Sequence, residues 1–338
     1  MPRRLKARLC HALAKTGLDA WFGALLGARQ RPWVLGYHTV VDDDAQLGEL
    51  MPGLGITAAT FERHVDWMAR RFQLVALDEL VSLGARTPGP EKPLAAITFD
   101  DGYRGVFEVA FPILRRKGIP ASLFVVTDRV GSTEPLAHDR IYHLLSKRRS
   151  PEETHAATRE LLHLLGPAEI ERLAEQLCEP APADSLELPV TWPMVHELRE
   201  AGWTIGSHTR THARLVSCTG AELLDETALA KQILEAELRQ PVHHFAYPDG
   251  AFDPRAVDAV SAAGYSSAYT TCAHRDARHP GLTVPRTMLW EGSSIEPSGG
   301  FSPDILSVQS SGLLELLAGC RDTHRALADR DPPVRAVA

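Results

Sequence analysis

The sequence predicts an α/β fold: a barrel of seven or eight parallel strands alternating with helices. Three observations lead there. Short apolar runs recur along most of the 338 residues, helical patterns separate them, and side chains able to bind a metal fall repeatedly at the ends of the runs. Strands that alternate with helices argue for βαβ units and parallel pairing. Barrels built this way carry their chemistry at the C-terminal ends of the strands.

The runs that read as strands are 34–40, 73–77, 95–100, 120–126, 203–207, 243–247 and 266–270, with 282–289 as an eighth. Between them, RGVFEVAFPILRRKG sets Val106, Val109, Ala110, Ile113 and Leu114 at helical spacing and ends on Gly118, a stop signal. DETALAKQILEAELRQ puts Leu229, Ile233, Ala236 and Leu238 roughly along one side. The barrel is expected over 32–291, interrupted by a helical insert at 128–193 that serves as a structural cap or as a wall of a substrate cleft. Residues 1–31 begin basic and turn partly apolar, but Lys15 and Asp19 interrupt the apolar stretch. That stretch is too short to span a bilayer. It reads as an amphipathic helix packed on the body, with peripheral membrane contact as the alternative. Residues 292–338 read as a loop and an amphipathic tail helix.

Composition excludes some classes. Hydrophobic residues make up 44% and charged residues 23%, which suits a globular protein with a true core. A net charge of −7 gives no nucleic-acid footprint. Cys10, Cys178, Cys218, Cys272 and Cys320 are scattered and form no CxxC, so neither a disulfide framework nor a thiolate zinc site is indicated. Unpaired cysteines and the lack of a clear cleavage signal give the expectation of a cytoplasmic or inner-membrane-associated protein, with the periplasm as the alternative. Nothing indicates an oligomeric state.

The strand ends carry the informative residues. His38 closes the first run in GYHTV, Asp100 and Asp101 close AAITFDDG, and GSHTRTH carries His208 and His212. FAYPDG and Arg286 follow on later strands. Adjacent carboxylates repel, and a strand sends successive side chains to opposite faces. The pair makes sense if a cation lies between them or if the two do different jobs. Histidines four apart share one side of a helical turn and can chelate one ion. One carboxylate would complete a two-His, one-Asp set with open positions. Taken alone, HxxxH reads as a solvated pair and DDG as a turn; their joint placement at strand ends favours a metal site. His38 reads as a proton donor to a leaving amine or as a satisfied core histidine.

TFDDG and SHTRTH resemble the first two signature motifs of the polysaccharide deacetylases, carbohydrate esterase family 4, whose barrel is the NodB-homology domain. FAYPDG looks like the third motif. VLGYHTVVDD and ITAATFERHVDWMARRFQLVALDEL are similar to the opening segment of the exopolysaccharide and cell-envelope members, and the likeness covers about residues 34–289. The resemblance implies a distorted (β/α)7-8 barrel and a divalent metal, usually zinc. It implies hydrolysis of N-acetyl groups on the amino sugars of a glycan. By the same resemblance Asp101, His208 and His212 hold the metal and Asp100 is the general base. Two rival readings remain: a non-catalytic glycan-binding protein on the same barrel, and a metal-dependent amidase acting on another amide.

The chain departs from the family pattern in its third motif. That motif normally reads Arg-x-Pro-Tyr-Gly; here it is Ala246, Tyr247, Pro248, Asp249 and Gly250. The arginine that orients the catalytic aspartate is missing, and Asp249 stands for a tyrosine whose contribution is its backbone N–H to the oxyanion, a donor that survives a side-chain change. No late leucine-histidine motif supplies the acid. Arg286 is therefore expected to reach across the rim to Asp100, and His38 to act as the acid.

Overall fold

In the computed structural model, which describes residues 3–25, 32–84, 92–147, 149–177 and 181–314, the strands are β1 (Trp33–Tyr37), β2 (Thr39–Val41), β3 (Gly55–Thr57), β4 (Gln73–Leu74), β5 (Leu94–Phe99) and β6 (Ser122–Val125). After the insert come β7 (Thr204–Ser207), β8 (His244–Ala246), β9 (Ser267–Thr270), β10 (Val284–Pro285) and β11 (Thr287–Met288). The main sheet runs in the order β10-β9-β8-β7-β6-β5-β1-β11, every pair parallel, with β4 beside the start of β5. Its two edges are one stretch of chain: β10 pairs with β9, β11 pairs with β1, and Arg286 stands between them. The expected final strand therefore draws the edges together into a nearly closed barrel, as the strand-helix alternation required.

Side-chain parity sets what faces inward. Val34, Ala96, Phe124, Ala246 and Tyr269 gather from five strands into one cluster, floored by Leu77 and Leu80 of the helix Leu77–Gly84. Their strand neighbours Leu35, Tyr37, Ile97, Phe99, Leu123 and Phe245 belong instead to the larger core under the surrounding helices. Phe99 is fully buried there, stacked on Trp203 at 5.7 Å and tilted against Tyr37 and Phe61. Two strand glycines keep the interior passable: a Cβ on Gly36 would collide with Met288, and one on Gly206 with the Phe124 ring.

Several expectations shift in detail. The run 34–40 breaks at His38: β2 leaves the barrel and pairs with β3, a strand not foreseen, in a separate two-stranded sheet. The helix expected after Arg104 forms as a π-turn, Val106–Ala110, leading into Phe111–Lys117, and Gly118 caps it at φ 65°. The insert is helical, as read: Ala137–Ser146, Pro151–Leu164 and Pro167–Leu177 surround a small core of Ala137, Ile141 and Ala174. The N-terminal segment is two helices, Arg3–Thr16 and Leu18–Leu25. They pack on the helix Pro303–Ser310 through Cys10, Ile305 and Val308, and Ser307 donates to buried Asp19 at 2.6 Å. The tail helix stops at Ser310 with a turn; the part of it expected beyond 314 lies outside the described residues.

Phe99→Ala should destabilise the protein by about 3–5 kcal/mol, because four aromatic rings share that contact. Urea unfolding followed by fluorescence measures it, and a loss below 1 kcal/mol would show the cluster collapses to fill the gap.

Candidate active site

The parity that fills the barrel also selects its rim. His38 continues the inward register of Val34 and Gly36, Asp100 that of Ala96 and Thr98, and His208 that of Gly206. Arg286 lies between Val284 and Met288. These residues are distant in sequence and meet because every strand ends at the same mouth. His38, Asp100, Asp101, His208, His212 and Asp249 all line one cavity of ≈ 330 Å³.

Asp101 breaks the alternation that should have sent it outward. Its φ is 69°, in the left-handed region that a residue with a Cβ enters only under constraint. The turn swings its carboxylate back beside Asp100. The histidine pair also differs from expectation: His208 and His212 are not on a helix. They sit on an irregular loop after β7, with Thr209 at φ 66° and His212 at φ 68°. Glu226, almost fully buried, holds that loop by accepting the N–H groups of Arg210 and Thr211, each at 2.9 Å, and the Thr211 hydroxyl at 2.8 Å.

This arrangement converges three donors. Asp101 Oδ1 lies 3.3 Å from His208 Nε2 and 3.1 Å from His212 Nε2, and the three ligand-capable atoms fall within 4.8 Å of one another. His208 Nδ1 is 2.8 Å from the Ala246 carbonyl. A carbonyl accepts, so the proton is on Nδ1 and Nε2 keeps its lone pair for a ligand. Asp101 Oδ1 is buried without a hydrogen-bond partner among the described residues, although two imidazoles crowd it. An orphaned buried carboxylate oxygen between two ring nitrogens fits a divalent cation. Burial opposes the charge on Asp101, but His212 and His208 outweigh it and hold the carboxyl well below its ordinary value.

Asp100 has the other environment. Arg286 donates Nη1 to its Oδ1 at 2.7 Å and Nη2 to its Oδ2 at 2.6 Å, and Nη1 also reaches Thr98 Oγ1 at 3.1 Å. The reach of Arg286 across the rim is thus present as expected. Both side chains are buried, and the guanidinium lies over the Phe124 ring at 5.4 Å. Burial works against ionisation of Asp100, yet Arg286 and the nearby histidines keep its carboxyl below the usual value.

His38 Nδ1 is buried without a hydrogen-bond partner among the described residues, and the side chain lines the cavity. It is not a satisfied core histidine. His64 is one: Tyr37 Oη lies 3.1 Å from its Nδ1 and Ser294 Oγ 2.5 Å from its Nε2, and burial drops its pKa to about 3. Asp249 stands at φ 57° in the turn Pro248–Gly250, and its carboxylate pairs with Arg214 Nε at 3.0 Å.

Sequence reasoning missed a buttress made between the loop after β5 and the insert. Tyr103 Oη donates to Asp139 Oδ2 at 2.7 Å and lies 2.9 Å from His138 Nε2, and the His138 ring is 4.8 Å from that of His212. All three residues are buried. Burial, then Glu187, raises the Asp139 carboxyl well above its ordinary value, while burial and then His212 lower His138 to about 3. The available signal was LAHDR, polar residues on an otherwise apolar insert helix.

Residues 87–268 match the family described as polysaccharide deacetylase. The match spans more than half of the chain, and the chain belongs to that family. YxkH of Bacillus subtilis (strain 168), named for the same family, is 20% identical over 270 residues, 79% of this chain and 75% of that protein. The poly-beta-1,6-N-acetyl-D-glucosamine N-deacetylase of Staphylococcus epidermidis is 30% identical over 98 residues, 29% of this chain and 32% of that one. The solved structure of the Streptococcus pyogenes deacetylase PplD in complex with acetate superposes with a TM-score of 0.56 at 17% identity, covering 82% of this chain and 97% of that one.

Zinc titration of the purified, chelator-treated chain should give one site per molecule. Asp101→Asn, His208→Ala and His212→Ala should each weaken it by about tenfold or more, loss of a ligand costing at least what loss of a supporting partner does. Wild-type affinity in all three would remove these residues from the metal site.

Proposed function

We propose that this protein is a metal-dependent deacetylase that hydrolyses the N-acetyl groups of amino sugars in a polysaccharide or glycan intermediate. The observation that carries the reading is the pairing of two adjacent aspartates with different partners: Asp101 among His208 and His212, Asp100 in the fork of Arg286. Family membership, and a relative named for poly-N-acetylglucosamine deacetylation, support the substrate class.

Asp101, His208 and His212 would hold a divalent ion, and zinc suits a His₂Asp set with open positions. Such an ion supplies Lewis acidity toward the acetamide carbonyl and lowers the pKa of water toward neutrality. Asp100, kept ionised by Arg286, takes a proton from the attacking water. The bidentate fork fixes the carboxylate plane and leaves its outer lone pairs free to do so. The Asp249 backbone N–H serves the oxyanion, with Pro248 and Gly250 fixing the turn. His38 gives a proton to the departing amine. Binding a glycan without hydrolysing it would need no carboxylate held in this way, so the catalytic reading is preferred over a binding module.

Cytoplasmic residence or contact with the inner membrane face belongs to the same proposal. It is supported by the free thiols of Cys10 and Cys218 and by the exposed Leu5, Leu9, Leu18, Trp21 and Leu25 on the N-terminal helices. Among the described residues no helix is long and apolar enough to cross a membrane. Fractionation of the native host checks this; a processed, shortened form in the periplasm would refute it.

Acetate release from chitooligosaccharides, poly-N-acetylglucosamine, peptidoglycan fragments and lipid-linked amino sugars tests the activity. Asp100→Asn and His38→Ala should lower kcat by about 10²–10⁴-fold and 10²-fold or more with zinc content kept. If Asp100→Asn loses zinc as completely as Asp101→Asn, the division of roles is wrong. Arg286→Ala should lower kcat and also cost about 3–5 kcal/mol of stability, because it leaves a buried carboxylate unpaired. Unchanged turnover in the His38 and Arg286 variants would leave the acid and the orienting residue elsewhere.

A further inference from the structure

The insert helix Pro151–Leu164 turns one unusual face to the active-site cavity. His155, Arg159 and His163 recur at i, i+4 and i+8 and all line that cavity together with the metal-competent residues. The face is held in place. Thr154 and Thr158 are buried, Leu161 packs into the core of the insert, and Ser150 caps the helix start in a reciprocal pair with Glu153.

None of the three side chains has a hydrogen bond or ion pair among the described residues. Four carboxylates share the cavity and none bonds the stripe: Asp100 pairs with Arg286, Asp249 with Arg214 and Glu171 with Arg129, while Asp101 lies between His208 and His212. The stripe is thus a guanidinium flanked by two imidazoles on the cavity wall, His155 half-buried and Arg159 and His163 exposed to solvent. Burial, followed by the neighbouring Arg159, lowers the pKa of His155; burial, followed by Arg214, lowers that of His163. N–H donors set at one-turn spacing around a fixed positive charge, with no carboxylate bonded to them, are suited to receive an anion from the cavity. Glycans composed solely of N-acetylhexosamine carry none.

Building on the deacetylase reading, we propose that His155, Arg159 and His163 form a subsite for an oxyanion carried by the substrate, a sugar phosphate ester or a uronate carboxylate next to the acetylated residue. The guanidinium fork matches two oxygens of either group, and each imidazole adds one N–H donor. The stripe shares a cavity of ≈ 330 Å³ with Asp101 and His212, so a charged group on it and an acetylated sugar at the metal-competent residues would occupy one site. The insert, on this account, selects acidic substrates, while the barrel supplies the hydrolysis.

The test begins with metal-free full-length protein, so that no anion is drawn to a metal. Calorimetric titration with N-acetylglucosamine 1-phosphate, with a uronate-containing N-acetylglucosamine disaccharide and with neutral N-acetylglucosamine compares the two oxyanions. One charged probe should bind saturably and more tightly than the neutral sugar. Arg159→Gln should weaken it about tenfold, and Arg159→Lys should restore part of the loss. Equal affinity for charged and neutral probes, or no effect of Arg159→Gln on either charged probe, would overturn the subsite. With zinc restored, the ratio of kcat/KM for the charged over the neutral substrate should fall about tenfold in Arg159→Gln, through KM. Arg159-dependent binding with no acetate released from any probe would keep the subsite and overturn the deacetylase reading instead.

Discussion

The buried pair of Arg286 and Asp100 ties the fold to the chemistry. Arg286 stands where the last strand stops pairing with β9 and starts pairing with β1: its own N–H bonds Thr270 O at 2.8 Å, and Leu289 N–H bonds Gly36 O at 2.8 Å. A guanidinium inside a barrel is costly unless it is paired and hydrogen-bonded. Here Asp100 and Thr98, from the strand beyond β1, meet that need. The residue that joins the edges of the sheet is therefore the one that sets the ionisation and direction of a rim carboxylate. Neither Asp100 nor Arg286 could change alone without leaving a buried charge behind.

Around that pair, the backbone is bent where the site needs it. Among the described residues five non-glycine residues have positive φ, and four of them are Asp101, Thr209, His212 and Asp249, all in the three motifs at the barrel mouth. The fifth, Arg239, caps a helix. Strain gathered in one place persists when surrounding bonds over-determine it. Glu226 pins the histidine loop, the Ala246 carbonyl fixes the His208 ring, and His138 of the insert, with Tyr103 and Asp139 bonded behind it, backs His212. Three separate parts of the chain thus hold the site.

The insert does more than cover the barrel. Its first helix contributes the buried contacts behind His212, and its second presents the imidazole and guanidinium stripe to the cavity. Both helices pack on a small core of their own. Their surfaces can thus vary with little effect on the packing of the strands, a usual way for one barrel to serve different substrates.

The sequence by itself determined the strand-helix alternation, the rim positions of His38, Asp100, His208 and Arg286, and the family motifs. These depend on local periodicity, and inward parity along a strand is written in every second residue. Tertiary structure decided what periodicity does not encode. A left-handed φ at Asp101 and at His212 depends on distant hydrogen bonds, so the two aspartates facing one cavity and the loop beneath HxxxH were out of reach. The break at His38 depends on β3 offering a partner in the fold's second sheet, Gly55 opposite Thr39. The roles of Glu226, Tyr103 and His138 come from contacts between segments far apart in the chain, and no local pattern distinguishes them from ordinary polar residues. The helical spacing of His155, Arg159 and His163 was readable, but which way that face turns was settled by the burial of Thr154, Thr158 and Leu161 against the rest of the insert.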